Sequence, residues 1–158
     1  MKKELSPEEA LFRAAALCST GERCRHDISE KLAQWGVAPA AAAKIVKHLV
    51  EEGYIDEARY CRSFVNDKWR FDRWGRVKMR YALKQKGSPD VSIQSALDTI
   101  DESEYRDCLR ELLDKKRASL AGDEREIRAK LLRFAASRGF EPAVVFAVMG
   151  TETPEDLW

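Results

Sequence analysis

Apolar residues recur at helical spacing around three glycines that lie about 50 residues apart, Gly36, Gly87 and Gly139. Apolar or small residues stand eight and four positions before each glycine, and six and ten positions after it. They are Ile28, Leu32, Ala42 and Val46; Met79, Leu83, Ile93 and Leu97; and Leu131, Ala135, Val145 and Met149. Residues four apart lie on one face of an α-helix. The repetition predicts tandem helical modules with a glycine between two helices of each module.

Helix start and stop signals predict nine helices. Ser6-Pro7 with glutamates after it is a typical start, and Asp56, Asp123 and the pair Glu141-Pro142 are placed as further starts. Glycines end most of the periodic segments. The predicted helices cover about 7–18, 25–36, 40–52, 57–70, 76–86, 89–100, 102–119, 124–139 and 142–150.

The predicted fold class is all-α, with the nine helices grouped as three tandem three-helix modules in an elongated, curved array. The modules cover residues 6–53, 54–101 and 102–150, and residues 151–158 form a flexible tail. Modules of about 50 residues are near the lower limit for burying a core alone, so neighbours are expected to pack partly on one another.

Composition indicates the cellular location of the protein but gives little information about its function. Lysine and arginine number 28 against 27 acidic residues, so the net charge of +1 indicates no partner. The four cysteines form no CxxC pair and are expected to be reduced thiols. No apolar stretch follows the first lysines and no run of about 18 apolar residues exists, so we expect a cytoplasmic protein without a signal peptide or membrane span.

Local charge is far from neutral between Arg59 and Lys86, where ten basic residues face only Asp67 and Asp72. The basic residues are Arg59, Arg62, Lys68, Arg70, Arg73, Arg76, Lys78, Arg80, Lys84 and Lys86. Such clustering favours a polyanion partner, because like charges on one helix face repel and stabilise nothing. The alternative is a solvated face that happens to be basic.

Helical geometry arranges this charge in two ridges. At the spacing of an α-helix, five residues along and just after the fourth helix fall within an arc of about 80°: Arg59, Arg62, Asn66, Arg70 and Arg73. Three residues of the fifth follow at i, i+4 and i+8: Arg76, Arg80 and Lys84. Both ridges are predicted to face solvent, while Tyr60, Phe64 and Val65 face a core. Trp74, in the joint beside Gly75, either stacks on a base or a protein partner or fills the corner between helices.

Sequence patterns of catalysis are absent. The glycines are isolated, and no GxSxG, HExxH or Cys/His pair occurs. The one compact acidic group, Glu51, Glu52, Asp56 and Glu57, is interpreted as helix capping and charge balance rather than a metal site. We therefore expect no enzymatic activity, no metal and no cofactor.

The middle of the chain carries a compact motif. Its first part reads Gly53-Tyr54-Ile55-Asp56-Glu57, then Tyr60-Cys61 and Phe64-Val65, and its second part reads Lys68, Gly75, Lys78-Met79, Leu83 and Lys86-Gly87. This motif resembles the signature of the RecX regulatory proteins of bacteria, and Phe134 with Arg138-Gly139-Phe140 is similar to the end of the family. Four positions depart from the family pattern, namely Glu57, Lys68, Arg76 and Met79; Arg76 stands where the family has proline, which changes how the fifth helix begins.

The resemblance implies a three-module, all-helical modulator of the RecA recombinase. Such a protein binds the RecA filament on single-stranded DNA and dampens its growth, ATP hydrolysis, strand exchange and co-protease activity. The residues assigned to DNA or RecA binding are Arg59, Arg62, Lys68, Arg70, Arg73, Trp74, Arg76, Lys78, Arg80 and Lys84. The free protein is expected to be a monomer.

Two other functions stay open at this stage. One is a DNA regulator with helix-turn-helix-like modules, but the third and sixth helices offer few base-reading side chains, chiefly Lys44, Lys47, His48 and Gln94. The other is a protein scaffold whose basic face meets only an acidic partner, which would show no salt-sensitive DNA binding. The sequence does not choose between binding in the filament groove and capping a filament end.

Overall fold

A computed structural model describes residues 5–150, and all nine of its secondary-structure elements are α-helices, as predicted. They are α1 Pro7–Thr20, α2 Arg25–Gln34, α3 Pro39–Glu51, α4 Glu57–Arg70, α5 Arg76–Gln85, α6 Asp90–Leu97, α7 Glu102–Ala118, α8 Glu124–Ser137 and α9 Pro142–Met149. The tail predicted over residues 151–158 lies outside the described residues. No helix of the described range combines the length and apolar character that a membrane crossing requires.

Side-chain caps explain why several helices begin where the sequence indicates. The Ser6 hydroxyl accepts from the Glu9 backbone N–H at 3.2 Å, and the Asp56 carboxylate accepts from that of Arg59 at 2.9 Å. Asp123 makes the same bond to Glu126 at 2.9 Å. Each bond satisfies an N–H group that the first turn of the helix leaves without a partner.

Helix ends are less well predicted than helix starts. Gly36, Gly87 and Gly139 all adopt the left-handed backbone that ends a helix, with φ of 78°, 74° and 92°. The sixth helix, however, ends at Leu97 rather than near Ile100. There the Ile100 N–H bonds the carbonyl of Leu97, three residues back, so the last turn tightens.

Residues 5–64 and 83–96 form a first compact unit, and residues 65–82 and 97–150 form a second. The boundary passes through α4, α5 and α6, so a predicted three-helix module is not the same stretch of chain as a compact unit. The module limits 6–53, 54–101 and 102–150 stay a prediction.

Unit 1 is centred on the mutual packing of α1, α2 and α3. Its core consists of Ala10, Ala14, Ile28, Leu32, Val37, Ile45, Leu49 and Ile55. Small alanines on α1 let the larger side chains of α2 and α3 approach it, which explains the alanine-rich sequence of the first helix. Tyr60 and Cys61 of α4 are also buried in this unit.

Unit 2 is centred on α7, α8 and α9, which pack on one another. Its buried residues include Leu109 and Leu113 of α7, Leu131 of α8 and Val145 of α9. Tyr105 is fully buried, and its ring stacks on Trp69 at 5.4 Å and lies 5.1 Å from Phe140. These aromatic contacts tie the end of α4 to the three C-terminal helices within the unit.

Candidate polyanion-binding site

Arg59 begins the predicted basic ridge, but within unit 1 its guanidinium already has three partners. It pairs with the Glu22 carboxylate and donates to the carbonyl oxygens of Gly53 at 3.0 Å and Tyr54 at 3.2 Å. Arg59 therefore fixes the turn between α3 and α4. Arg62, one helical turn later, is exposed and has no ion-pair partner among the described residues.

Lys86, at the other end of the basic segment, is also engaged in unit 1. Its ammonium lies 2.6 Å from the Asp27 carboxylate, and the hydrogen bond to Asp27 raises the pKa of Lys86. Burial alone would raise the pKa of Asp27, but hydrogen bonds from Lys86 and Cys24 lower it. The ion pair of Lys84 differs from that of Lys86 in its exposure. Lys84 and its partner Asp90, 3.5 Å away, are both exposed.

The prediction that Arg76 faces solvent is wrong. Its side chain is 19% exposed, pairs with Glu141 at 2.8 Å and also pairs with Glu102. The guanidinium carbon lies 3.8 Å from the centre of the Tyr105 ring. Burial lowers the pKa of Arg76, but hydrogen bonds to Glu141 and Glu102 more than offset this and raise it. Arg76 is long enough to reach two carboxylates of unit 2, and it therefore has a structural role. It does not belong to the exposed basic ridge that was predicted on α5.

Tyr105 completes this network from the buried side. Its hydroxyl accepts the Arg76 backbone N–H at 2.9 Å and donates to the Glu141 carboxylate. Burial, together with the Glu141 hydrogen bond, raises the pKa of the Tyr105 hydroxyl, so it stays protonated as a donor. Glu102, Tyr105 and Glu141 are positioning residues that the sequence analysis missed, because they lie 26 to 65 residues from Arg76 and share no local pattern with it.

Arg73 does not continue the α4 ridge, because α4 ends at Arg70. Arg73 adopts a left-handed backbone with φ of 54°, and its guanidinium pairs with Glu111 at 3.2 Å. The Trp74 N–H donates to the Lys68 carbonyl at 3.0 Å and closes the turn around Arg73. Arg73 is exposed, as predicted, but it points from a turn rather than from the helix face.

Two glycines, Gly75 and Gly139, allow the connection between α4 and α5 to pack very closely against the backbone that follows α8. The Gly75 N–H donates to the Arg138 carbonyl at 2.7 Å, and the Val77 N–H donates to the Gly139 carbonyl at 2.9 Å. A Cβ atom on Gly75 would lie 2.3 Å from the backbone of Gly139. Side-chain atoms are therefore excluded at Gly75, which is the physical reason for a glycine at this motif position.

A cluster of basic and aromatic side chains surrounds this connection. We call Lys68, Arg70, Trp74, Lys78 and Arg80 the α4–α5 basic cluster; all five belong to unit 2. The ammonium groups of Lys68 and Lys78 lie 4.7 and 4.5 Å from the centre of the Trp74 ring. Two cations held over one indole ring form a fixed pair of charges, at the distance of a cation–π interaction.

Arg70 is the exposed cation of the cluster, whereas Lys68, Lys78 and Arg80 are half-buried. Lys68 also meets Asp72 at 3.1 Å, and the Arg70 guanidinium donates to the Asn66 amide oxygen at 2.7 Å rather than to a carboxylate. Phe71 and Tyr81, beside these residues, are 79% and 66% exposed. Cations interleaved with exposed aromatic rings can bind phosphate or carboxylate groups of a large partner.

Most motif residues outside the cluster have structural roles. Ile55 and Tyr60 are buried, and Phe64 is half-buried with its ring 6.2 Å from that of Tyr60. Gly53, with φ of 79°, ends α3, and Tyr54 is 42% exposed. The sequence prediction that the apolar residues of α4 face a core is confirmed.

Reactive groups are not assembled at the surface of the described part of the chain. Its cysteines are free thiols, and burial raises the pKa of Cys24 to about 11, so this thiol is a poor nucleophile. Residues 5–150 contain no group of three or more His, Cys, Asp or Glu side chains placed to hold a metal ion. What the described residues offer is a charged surface.

Comparison with protein families gives two matches. Residues 56–97 match the model of the second three-helix domain of RecX, and residues 103–149 match that of its third three-helix domain. Together the two matches cover more than half of the 158 residues.

Curated relatives and solved structures agree with these matches. Regulatory protein RecX of Prosthecochloris aestuarii is 31% identical over 87% of this chain and 89% of its own length. That of Chlorobium phaeobacteroides is 34% identical over 85% of this chain and 87% of its own length. The crystal structure of RecX from Lactobacillus salivarius superposes with a TM-score of 0.81 at 17% identity, over 91% of this chain and 94% of the other.

Proposed function

The chain belongs to the RecX family of regulatory proteins, and from this premise we propose that it regulates the RecA recombinase by binding the RecA filament on single-stranded DNA. Binding inhibits filament growth and, with it, ATP hydrolysis, strand exchange and co-protease activity. The proposed mode of action is binding by a monomer, without chemistry on the partner.

The observation that carries the proposed site is the pair of lysines over Trp74. A charged surface that only keeps a protein hydrated needs no fixed geometry, whereas Lys68 and Lys78 converge on one ring from two different helices. Convergence lowers the entropy that each flexible side chain loses when it binds an anion. The α4–α5 basic cluster is therefore proposed as the contact with DNA phosphates or with an acidic surface of the filament.

Side chains that hold the fold together are assigned a supporting part. Arg59 and Arg76 have carboxylate partners within their own units, so they position turns and leave binding to their neighbours. Arg62, Arg73 and Lys84 stay proposed contacts of lower weight, because they lie outside the cluster. Gly75 and Gly139 allow the connection between α4 and α5 to pack closely against the backbone that follows α8.

The test is the single-stranded-DNA-dependent ATPase of the cognate RecA, titrated with the protein and with Arg70→Glu/Lys78→Glu. Inhibition by the wild type at protein concentrations well below that of RecA, and at least tenfold more of the variant needed for the same inhibition, are expected. Arg76 is left unchanged, because its replacement would disturb the fold.

The matched control is Lys44→Glu/Arg125→Glu, which reverses the same number of charges at two exposed positions outside the cluster. It should inhibit like the wild type. Equal inhibition by all three proteins would reject the α4–α5 basic cluster as the contact, and failure of the wild type to inhibit would reject regulation of RecA.

A further inference from the structure

Besides the basic segment between Arg59 and Lys86, the protein carries a basic surface along α7 and α8 of unit 2. One cavity of about 650 Å³ is lined by Arg73, Glu111, Leu112, Lys115, Lys116, Ser119, Phe134 and Arg138. A neighbouring one of about 380 Å³ is lined by Lys116, Leu120, Lys130, Arg133, Phe134 and Ser137. Both cavities are lined by Lys116 and Phe134, so they are neighbours, and together we call them the α7–α8 groove.

Charge in the α7–α8 groove is strongly one-sided. Six lining residues are basic and one, Glu111, is acidic. Glu111 is already paired with Arg73. Lys130 and Arg133 are exposed and have no ion-pair partner among the described residues. The groove thus concentrates positive charge that the fold does not neutralise.

Helix dipoles account for only part of this charge. Lys115 and Lys116 stand in the last turn of α7, where a cation offsets the partial negative charge of the helix end. Lys130 and Arg133 lie in the interior of α8, where the helix dipole does not favour a cation. Binding of an anionic ligand in the groove would explain why Lys130 and Arg133 are basic.

The floor and one end of the groove are fixed by contacts within unit 2. The Lys116 ammonium lies 5.3 Å from the centre of the half-buried Phe134 ring. Arg138 donates from its Nη2 atom to the Asp72 carbonyl at 2.6 Å, while its Nε atom is buried without a hydrogen-bond partner. Phe134 therefore gives the groove an apolar lining beside Lys116, and a backbone hydrogen bond holds Arg138 in place.

We propose that the α7–α8 groove binds the backbone of a single nucleic-acid strand. A phosphodiester strand carries a negative charge at every link, which matches cations that recur from Lys130 to Arg138, over about 12 Å along α8 and the residue after it. Unpaired bases also expose apolar faces that fit beside Phe134 and Leu112, as in other single-strand grooves. An acidic peptide is the alternative ligand, and it is separated from a strand by the experiment below.

The experiment measures binding of a fluorescent oligothymidylate to the isolated protein over a series of NaCl concentrations. RecA is absent from it, so its failure is distinct from failure of the proposed function. In Lys130→Gln/Arg133→Gln, loss of two phosphate contacts should reduce the slope of log affinity against log salt by about 1.4. Affinity should fall roughly twenty-fold at ~0.1 M salt.

Controls make the result specific to the groove. Lys44→Gln/Arg125→Gln removes two charges from exposed positions outside it and should bind with nearly the wild-type slope. Thermal unfolding of both variants should match the wild type, since all four side chains are exposed. A wild-type slope in Lys130→Gln/Arg133→Gln, or an equal loss in the control, would overturn the inference.

A fluorescent polyglutamate peptide tests the alternative ligand. If it binds the wild-type protein and its binding alone is weakened by Lys130→Gln/Arg133→Gln, the groove is a peptide site and the inference is wrong. Weakened binding of oligothymidylate, with little or no binding of polyglutamate, supports the groove as a nucleic-acid site.

Discussion

The two units have the same helical construction but use their charged residues differently. The described residues of unit 1 include ten basic and ten acidic side chains, whereas those of unit 2 include sixteen basic and thirteen acidic ones. In unit 1 the basic residues at the two ends of the segment, Arg59 and Lys86, pair with Glu22 and Asp27. In unit 2 the surplus is collected in the α4–α5 basic cluster and the α7–α8 groove.

The comparison shows that charge density alone does not identify a binding residue. Arg70 and Arg76 are six residues apart in one basic segment, yet Arg70 is exposed and Arg76 is held by two carboxylates and a tyrosine ring. What separates them is the presence of partners from distant parts of the chain. Four stability experiments test the contacts that hold these cations and the turn around them.

The largest effect is expected at the glycine contact of unit 2. Gly75→Ala places a Cβ atom 2.3 Å from the backbone of Gly139, so the connection must shift and lose its hydrogen bond to Arg138. We expect a loss of about 3 kcal/mol in the free energy of unfolding, measured in urea. Gly21→Ala in unit 1 is the control, because nothing lies within 4 Å of its Cβ position and its backbone is extended. Equal stability of the two variants would show that the close approach is not rigid.

Removing the Arg76 side chain is expected to cost slightly less. Arg76→Met keeps an unbranched, largely apolar side chain but leaves Glu141 and Glu102 without their cation, at a cost of about 2.5 kcal/mol. The matched change Arg70→Met should alter the free energy of unfolding by less than about 0.5 kcal/mol, because Arg70 pairs with no carboxylate. If both changes cost the same, the division of the segment into structural and free cations is wrong.

The ion pair of unit 1 predicts a pH-dependent effect. The pKa of Asp27 is lowered in the folded state, so the pair stabilises the protein above the unfolded pKa of about 3.9 and loses its effect as pH falls through the folded value. Lys86→Met should therefore cost about 1 kcal/mol at neutral pH and progressively less in acid. Urea unfolding over an acid-to-neutral pH series measures this. Lys84→Met, whose pair with Asp90 is exposed, should show a smaller loss; a pH-independent loss in Lys86→Met would exclude the ion pair as its cause.

The smallest effect concerns the lysine pair over Trp74. A double-mutant cycle with Lys78→Met and Trp74→Leu should give a coupling of about 0.5 kcal/mol, typical of a partly exposed cation–π contact. Thermal unfolding of the four proteins of the cycle supplies the measurement. Absence of coupling would mean that Trp74 does not position Lys78.

Much of the fold could be predicted from local sequence, because local interactions determine it. Side-chain caps such as Asp56 and Asp123 act within one turn, and the glycine stops act at their own backbone. The end of α6 was predicted three residues too late because apolar periodicity continues to Ile100, which is buried, although the helix has already tightened.

The candidate site could be predicted only in part, because long-range contacts decide which cations remain exposed. Helical spacing placed Arg70 on an exposed face correctly, but the same spacing also included Arg73, which lies beyond the helix end. No local pattern relates Arg76 to Glu141, or Phe134 to the cations of the α7–α8 groove. The basic residues of α8 are also interspersed with acidic ones along the chain, so the charge of that groove does not show as a cluster in the sequence.

The pairing of Gly75 with Gly139 also bears on how this protein can be divided or recombined. Residues 56–97 match one domain model, yet the backbone at Gly75 and Val77 and the guanidinium of Arg76 take their partners from residues after 101. A fragment made of that domain alone would expose these groups to water and lose the arrangement around Trp74. Likewise, a chimera that exchanges the third domain must have a glycine at the position of Gly139, because otherwise the second and third domains cannot pack together.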